Sequence, residues 1–219
     1  MSSNQQVRKG EELDEVNLKK FLLEQQLIHA VESDLFVEQF KHGYSNLTYA
    51  LKIENREFVL RKPPIGAIKR GHDMGREFKV QSAVRKAFSK VPKMYVFAKN
   101  DAVLGSSFYL MERVNGIILN FKEAKKRNIS PANYKTIAGA WLDTFVELHQ
   151  VDYKAVGLSD LGRPDGYVER QVSNWGKQYL KAATDDVPEA LAVMKWMQEH
   201  QPRSYDHCLI HNDYKYDNI

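Results

Sequence analysis

His211, Asp213 and Asn218 stand in the spacing H-x-D-x-x-x-x-N. That spacing suits a phosphoryl-transfer loop. The Asp takes the proton of a substrate hydroxyl, and the Asn five residues later holds Mg²⁺. Two other readings stay open on these residues alone. His211, Asp213 and Asp217 could ligate Zn²⁺ or Mn²⁺, although no second His-rich cluster completes the ligand set. The segment could also be a polar loop with no chemistry. The apolar run His207–Ile210 just before it reads as a short strand, which is how a catalytic loop is usually delivered.

Three stretches upstream could serve the same reaction. The first is Phe40-Lys-His-Gly-Tyr-Ser-Asn-Leu-Thr-Tyr49. Gly43 lets the backbone bend over a ligand, and Ser45 and Asn46 offer donors to phosphate oxygens. An ordinary hairpin turn explains the same residues equally well. The second is Arg61 at a strand end with Glu77 on the helix that follows. A strand cation can hold nucleotide phosphates, and a helix carboxylate can hold the cation. Two solvated surface charges are the plainer account. The third is Phe108-Tyr-Leu-Met-Glu-Arg-Val-Asn-Gly116, an apolar strand whose main chain at Glu112 and Val114 could meet an adenine edge. A plain core strand would look the same.

The elements that must position these groups follow from periodicity. Asp14 to Val31 reads as a helix, with Val16, Phe21, Leu22, Leu27 and Ile28 at helical spacing. Leu35–Phe40, Leu47–Ile53 and Glu57–Arg61 read as an antiparallel meander broken by turn residues at 43–46 and 54–55. Asp73 to Phe88 reads as a helix, and Met94–Ala98 and Phe108–Arg113 as two more strands. Asn115-Gly116 is a turn, and beyond it the pattern becomes helical. Helices are predicted from Ser130-Pro131 to about Gln150, over Tyr167–Ala183 and over Val187–His200. The organisation expected is a disordered N-terminus at 1–14, a β-rich lobe at 15–114 and a helical lobe at 115–219.

Composition narrows the class. Hydrophobic residues make up 43% and charged residues 27%, a soluble globular balance. The net charge of +4 is too mild to point to nucleic acid, but it suits small anionic ligands. Cys208 is the only cysteine and reads as a buried core thiol in a reducing, cytoplasmic setting. No apolar run approaches the ~20 residues of a membrane span, and the acidic first 15 residues do not suit a targeting peptide.

Taken together, Gly43–Tyr49, Phe58–Pro64, Arg76–Gln81, Phe108–Gly116, Val156–Leu158 through Gln171, and His211–Asn218 resemble the aminoglycoside phosphotransferase-like (choline kinase-like) family. Within it, the chain looks most similar to the branch linked to acyl-CoA dehydrogenases. The resemblance covers about residues 15–219. It implies an α+β, protein-kinase-like fold of two lobes with ATP in the cleft. It also implies Asp213 as catalytic base in the loop begun by His211, Asn218 as a Mg²⁺ ligand, and Glu77 as the helix carboxylate. Arg61 stands where most relatives have Lys. The acceptor implied is a small-molecule hydroxyl, including that of a hydroxyacyl-CoA.

The family continues past its Asn with a strand, a metal-binding Asp and further helices. The expectation is therefore a fragment lacking that segment, with little or no turnover and with apolar surface open around Trp141 and Trp175. The alternatives are a nucleotide-binding remnant, a chain completed by a second polypeptide, and a non-kinase metal-binding protein.

Overall fold

The computed structural model describes residues 4–40, 46–64, 66, 73–216 and 218. In chain order the elements are β1 (Asn4–Gln5), α1 (Glu15–Glu24), β2 (Leu35–Phe40), β3 (Leu47–Ile53), β4 (Arg56–Lys62), α2 (Met74–Val84), β5 (Met94–Ala98) and β6 (Phe108–Glu112), followed by α3 (Phe121–Lys126), α4 (Pro131–His149), α5 (Tyr167–Ala182) and α6 (Pro188–Glu199). The strands form one antiparallel sheet in the order β1-β2-β3-β4-β6-β5. The architecture is the α+β, kinase-like one expected: a β-rich half, then a helical half.

Strand alternation explains the N-terminal half. Leu47, Tyr49, Leu51 and Ile53 on β3 pack with Phe58 and Leu60 on β4, all buried in one core. The turn between these strands puts Glu54 at φ 53°, and its Oε1 accepts from the backbone N–H groups of His29 and Ala30 at 2.9 and 3.2 Å. The hairpin thereby fixes the connection between α1 and β2. Helix α1 is capped by Asp14, whose side chain accepts from Asn17 N.

The helix ends seven residues earlier than its apolar spacing suggested, at Glu24 rather than Val31. Gln26 takes a left-handed φ of 57°, and the Leu27 carbonyl accepts from Arg56 Nη1 at 2.7 Å. Leu27 and Ile28 are buried all the same, so their apolar character reports the core and not the helix.

The disorder expected at 1–14 is not found in its described part. β1 adds to the sheet edge beside β2. Gln39, fully buried on β2, accepts from Arg8 N at 2.9 Å and donates to Glu11 Oε2 at 2.5 Å. Tyr49 OH donates to the Glu11 carbonyl at 2.7 Å. A buried amide must find partners, and this polar segment supplies them.

Helix α2 lies close against the sheet because Gly75 leaves room for Phe97. A Cβ at position 75 would sit 3.1 Å from Phe97 Cζ. A second apolar cluster joins the halves. Val84 and Phe88, from the end of α2 and just beyond it, are buried with Val151, Val156 and Leu158, and Leu148 and Leu209 pack against them. Lys79 and Asp160 pair across the same seam at 2.7 Å.

Two expectations fail near the end of the chain. His207–Ile210 forms no strand, and Cys208 is exposed. No neighbouring strand among the described residues offers that segment a ladder. Trp175 on α5 is 65% exposed, as expected; Trp141 on α4 is half-buried against Tyr214 and Tyr216, with Leu142 and Val146 nearby exposed.

Two outcomes follow for stability. Gln39→Ala orphans the Arg8 N–H and releases Glu11, costing about 1–3 kcal/mol in denaturant unfolding and exposing residues 4–14 to proteolysis. Burial pushes the Tyr49 phenol from 10.0 up to about 12. Its contribution is therefore complete below pH 10 and is lost as pH rises through about 12. Tyr49→Phe flattens that alkaline limb in pH-dependent melting.

Candidate functional site

Arg61 and Lys62 are adjacent on β4, so they point to opposite faces of the sheet. Lys62 is buried under the loop before β6, where its Nζ donates to the Leu104 carbonyl at 2.9 Å. That burial lowers its pKa. Arg61 faces α2. Its Nη2 lies 3.6 Å from Glu77 Oε2, and its Nε is buried with no hydrogen-bond partner among the described residues. The pair joins strand cation to helix carboxylate, and Glu77 is tied into a network instead of lying free in solvent.

Glu77 holds more than Arg61. Its Oε1 accepts from Asn46 Nδ2 at 3.0 Å, and its Oε2 accepts from Tyr109 OH at 2.8 Å. Asn46 is buried just before β3, and Tyr109 is fully buried on β6 directly opposite Arg61. Gln81, one turn further along α2, approaches the same phenol at 3.4 Å. Burial pushes the Tyr109 pKa well above its ordinary value, with Arg61 opposing the shift and Glu77 adding to it. Tyr109 and Gln81 escaped the sequence reading. The available signal was register: an antiparallel β4–β6 pair puts Tyr109 beside Arg61.

At the connector, Glu112 uses its backbone N–H and its carboxylate to hold Lys93, at 2.8 and 2.9 Å. Its side chain is thus committed to the start of β5. Val114, just past the sheet, is 64% exposed.

The H-x-D-x-x-x-x-N loop forms a second group. Asn212 takes a left-handed φ of 66°, a conformation Asn tolerates, which turns the chain before Asp213. Asn218 Nδ2 donates to Asp213 Oδ2 at 2.6 Å and to the Asp213 carbonyl at 3.0 Å. Lys215 Nζ lies 3.4 Å from the same carboxylate oxygen. The loop is fastened to α4. Tyr214 OH donates to the Trp141 carbonyl at 2.8 Å, and the Trp141 ring meets Tyr214 and Tyr216 at centroid distances of 4.6 and 5.5 Å. His211 sets its ring edge-on to Tyr214 at 5.6 Å. It contributes to the loop's shape through that contact.

The structure therefore assembles two groups: Asn46, Arg61, Glu77 and Tyr109 on one side, and His211, Asp213 and Asn218 on the other. Gly43, Ser45 and Asp217 lie outside the described residues. Among the described residues no three His, Cys, Asp or Glu side chains gather as a metal site. No helix among them is long and apolar enough to cross a membrane.

A sequence model of the phosphotransferase enzyme family (APH) matches residues 37–219. Acyl-CoA dehydrogenase family member 11 of Rattus norvegicus is 37% identical over 187 residues, covering 84% of this chain and 24% of the relative. Family member 10 of Mus musculus is 34% identical over 182 residues, covering 83% and 17%. The chain thus spans about a quarter or less of the length of these curated relatives. A solved structure from Ralstonia eutropha JMP134, assigned to the aminoglycoside phosphotransferases, is 32% identical with a TM-score of 0.80. The match covers 95% of this chain and 60% of that one. Aminoglycoside 2'-phosphotransferase-IIIa in its GDP complex has the same fold at 16% identity and a TM-score of 0.62.

The aromatic clamp makes a direct prediction. Each ring pair contributes about 0.5–1.5 kcal/mol, so Trp141→Ala speeds amide hydrogen exchange of residues 211–218 by on the order of tenfold or more. Exchange at Leu51 and Leu60, in the sheet core, stays unchanged.

Proposed function

Because the chain belongs to the phosphotransferase enzyme family, we propose that it binds ATP with Mg²⁺ and serves transfer of the γ-phosphoryl to a small-molecule hydroxyl. The observation that carries this reading is the Arg61–Glu77 pair on the sheet face opposite Lys62, with both side chains 31% exposed. A part-exposed guanidinium held only loosely, at 3.6 Å, by its carboxylate fits an anionic ligand such as a nucleotide phosphate. The turn ending at Asn46, including Gly43 and Ser45, would cover those phosphates. The main chain at Glu112 and Val114 would meet the adenine edge.

Asp213 would orient the acceptor hydroxyl and accept its proton as the phosphoryl group is transferred. His211 would keep the loop in shape against Tyr214. Asn218, whose amide already sits against Asp213, would supply an oxygen to Mg²⁺, a hard cation suited to oxygen ligands. Bound Mg²⁺ would neutralise charge on the phosphates. The names of the relatives favour an acyl-CoA bearing a hydroxyl as the acceptor. A single, exposed cysteine suits a reducing cytoplasm.

Calorimetry with ATP, with and without Mg²⁺, tests the reading. ATP binds with Mg²⁺-dependent affinity. Arg61→Ala weakens it by about tenfold or more, the scale of one charge-assisted contact. Asp213→Ala leaves ATP affinity within about threefold but removes any ATP-dependent phosphorylation of a hydroxyacyl-CoA, followed by mass spectrometry. Binding without transfer in the parent supports the nucleotide-binding alternative. No binding of any nucleotide overturns both.

A further inference from the structure

Tyr109 lies in the apolar stretch Phe108–Gly116 but has no role of its own in that motif, yet its hydroxyl hydrogen-bonds the carboxylate at the centre of the N-terminal half. The Arg61–Glu77 ion pair is loose. At 3.6 Å it exceeds hydrogen-bonding distance, and both side chains are 31% exposed. Such a contact is weak and does not fix a direction. The hydrogen bond from Tyr109 OH, at 2.8 Å to the same Oε2, is shorter and comes from a fully buried ring. That ring cannot swing. Phe78 of α2 packs on it with centroids 6.3 Å apart, and Phe78 is itself stacked on Phe97 at 5.8 Å.

We infer that Tyr109 is a positioning residue for phosphate binding: its phenol fixes the Glu77 carboxylate, and through it aims the Arg61 guanidinium at the nucleotide phosphates. The inference rests on the proposed nucleotide site and adds to it the group that holds that site's ion pair in place. The phenol must stay protonated to donate, and the buried position beside Glu77 keeps it so. Arg61, directly opposite on β4, has its Nη2 at the oxygen that Tyr109 occupies. Tyr109 and Arg61 therefore share one oxygen of Glu77. Loss of the phenol frees that oxygen to rotate toward Arg61, which pulls the guanidinium onto Glu77 and away from a ligand.

The test compares Tyr109→Phe with the parent, using ATP, ADP and adenosine as calorimetric probes in Mg²⁺. The substitution keeps the ring and removes only the hydroxyl. The expected result is a loss of about tenfold in ATP and ADP affinity, the worth of a hydrogen bond to a charged group, with adenosine affinity unchanged. Combined with Glu77→Gln, Tyr109→Phe gives little further loss, because both act through one carboxylate. Equal losses for adenosine and ATP would make Tyr109 a purely structural core residue and overturn the inference. Additive losses in the double variant would overturn it as well. If the parent binds ATP and Tyr109→Phe binds it equally, the inference fails while the nucleotide site stands. A parent that binds no nucleotide defeats the site itself, and the inference with it.

Discussion

One carboxylate organises the β-rich half of this protein. Glu77 gathers Asn46 from the start of β3, Arg61 from β4 and Tyr109 from β6 onto the helix that carries it. Each hydrogen bond to an ionised group is worth about 1.5–3 kcal/mol, whereas a loose and partly exposed ion pair is worth about 0.2–1 kcal/mol. The neutral partners therefore decide where the carboxylate sits, and the cation follows. The sequence suggested only that Glu77 holds Arg61; the contacts add what holds Glu77. The position of α2 depends on the same contacts, together with Gly75, which lets the helix approach Phe97.

The helical half rests on different physics. None of the residues of α4 or α6 is buried, and Trp175, Trp196 and Leu191 are largely exposed. What holds the H-x-D-x-x-x-x-N loop is a local clamp, with the Trp141 ring and carbonyl both engaged by Tyr214. What holds that half to the sheet is the apolar seam of Val84, Phe88, Val151 and Leu158, reinforced by Lys79 and Asp160. The loop thus inherits its position from α4, and α4 inherits its position from the seam. A change at Phe88 would reach Asp213 by that route without touching it.

How much of this was legible depends on which force shaped each segment. β3 and β4 were readable as apolar, β-branched and aromatic runs between turn residues, and their middles, Tyr49–Leu51 and Phe58–Leu60, are buried on both faces. The helix starts at Ser130-Pro131 and Asp14 were readable, and in the structure both Ser130 and Asp14 accept from a first-turn backbone N–H. The end of α1 was not readable, since Leu27 and Ile28 are apolar for the core's sake and not the helix's. The N-terminal strap was missed because its polar residues serve one buried amide, Gln39, some 30 residues away, and no local pattern records that. Cys208 misled for the opposite reason: its apolar neighbours suggested a core that the described residues do not build around it. For the candidate site, the order along the chain pointed to Arg61, Glu77 and Asn46, and the structure brings those three together. Tyr109 was not legible, because its role comes from register between strands.

Arginine at position 61, where lysine is the commoner choice in the resemblance, has a structural reason in these contacts. An ammonium is a point charge with rotatable donors and would settle on the nearest carboxylate oxygen. The guanidinium is a planar fork. In Arg61 one end, Nη2, lies beside Glu77, and the contact is loose at 3.6 Å. The rest of the fork is left for the second anion that the proposed nucleotide site would supply. That division works only if Glu77 is kept from drawing in the whole fork, and its oxygens are already occupied by Asn46 and Tyr109. An Arg at this place and a hydroxyl donor opposite it are thus parts of one arrangement. Neither is a conservative stand-in that could be exchanged alone.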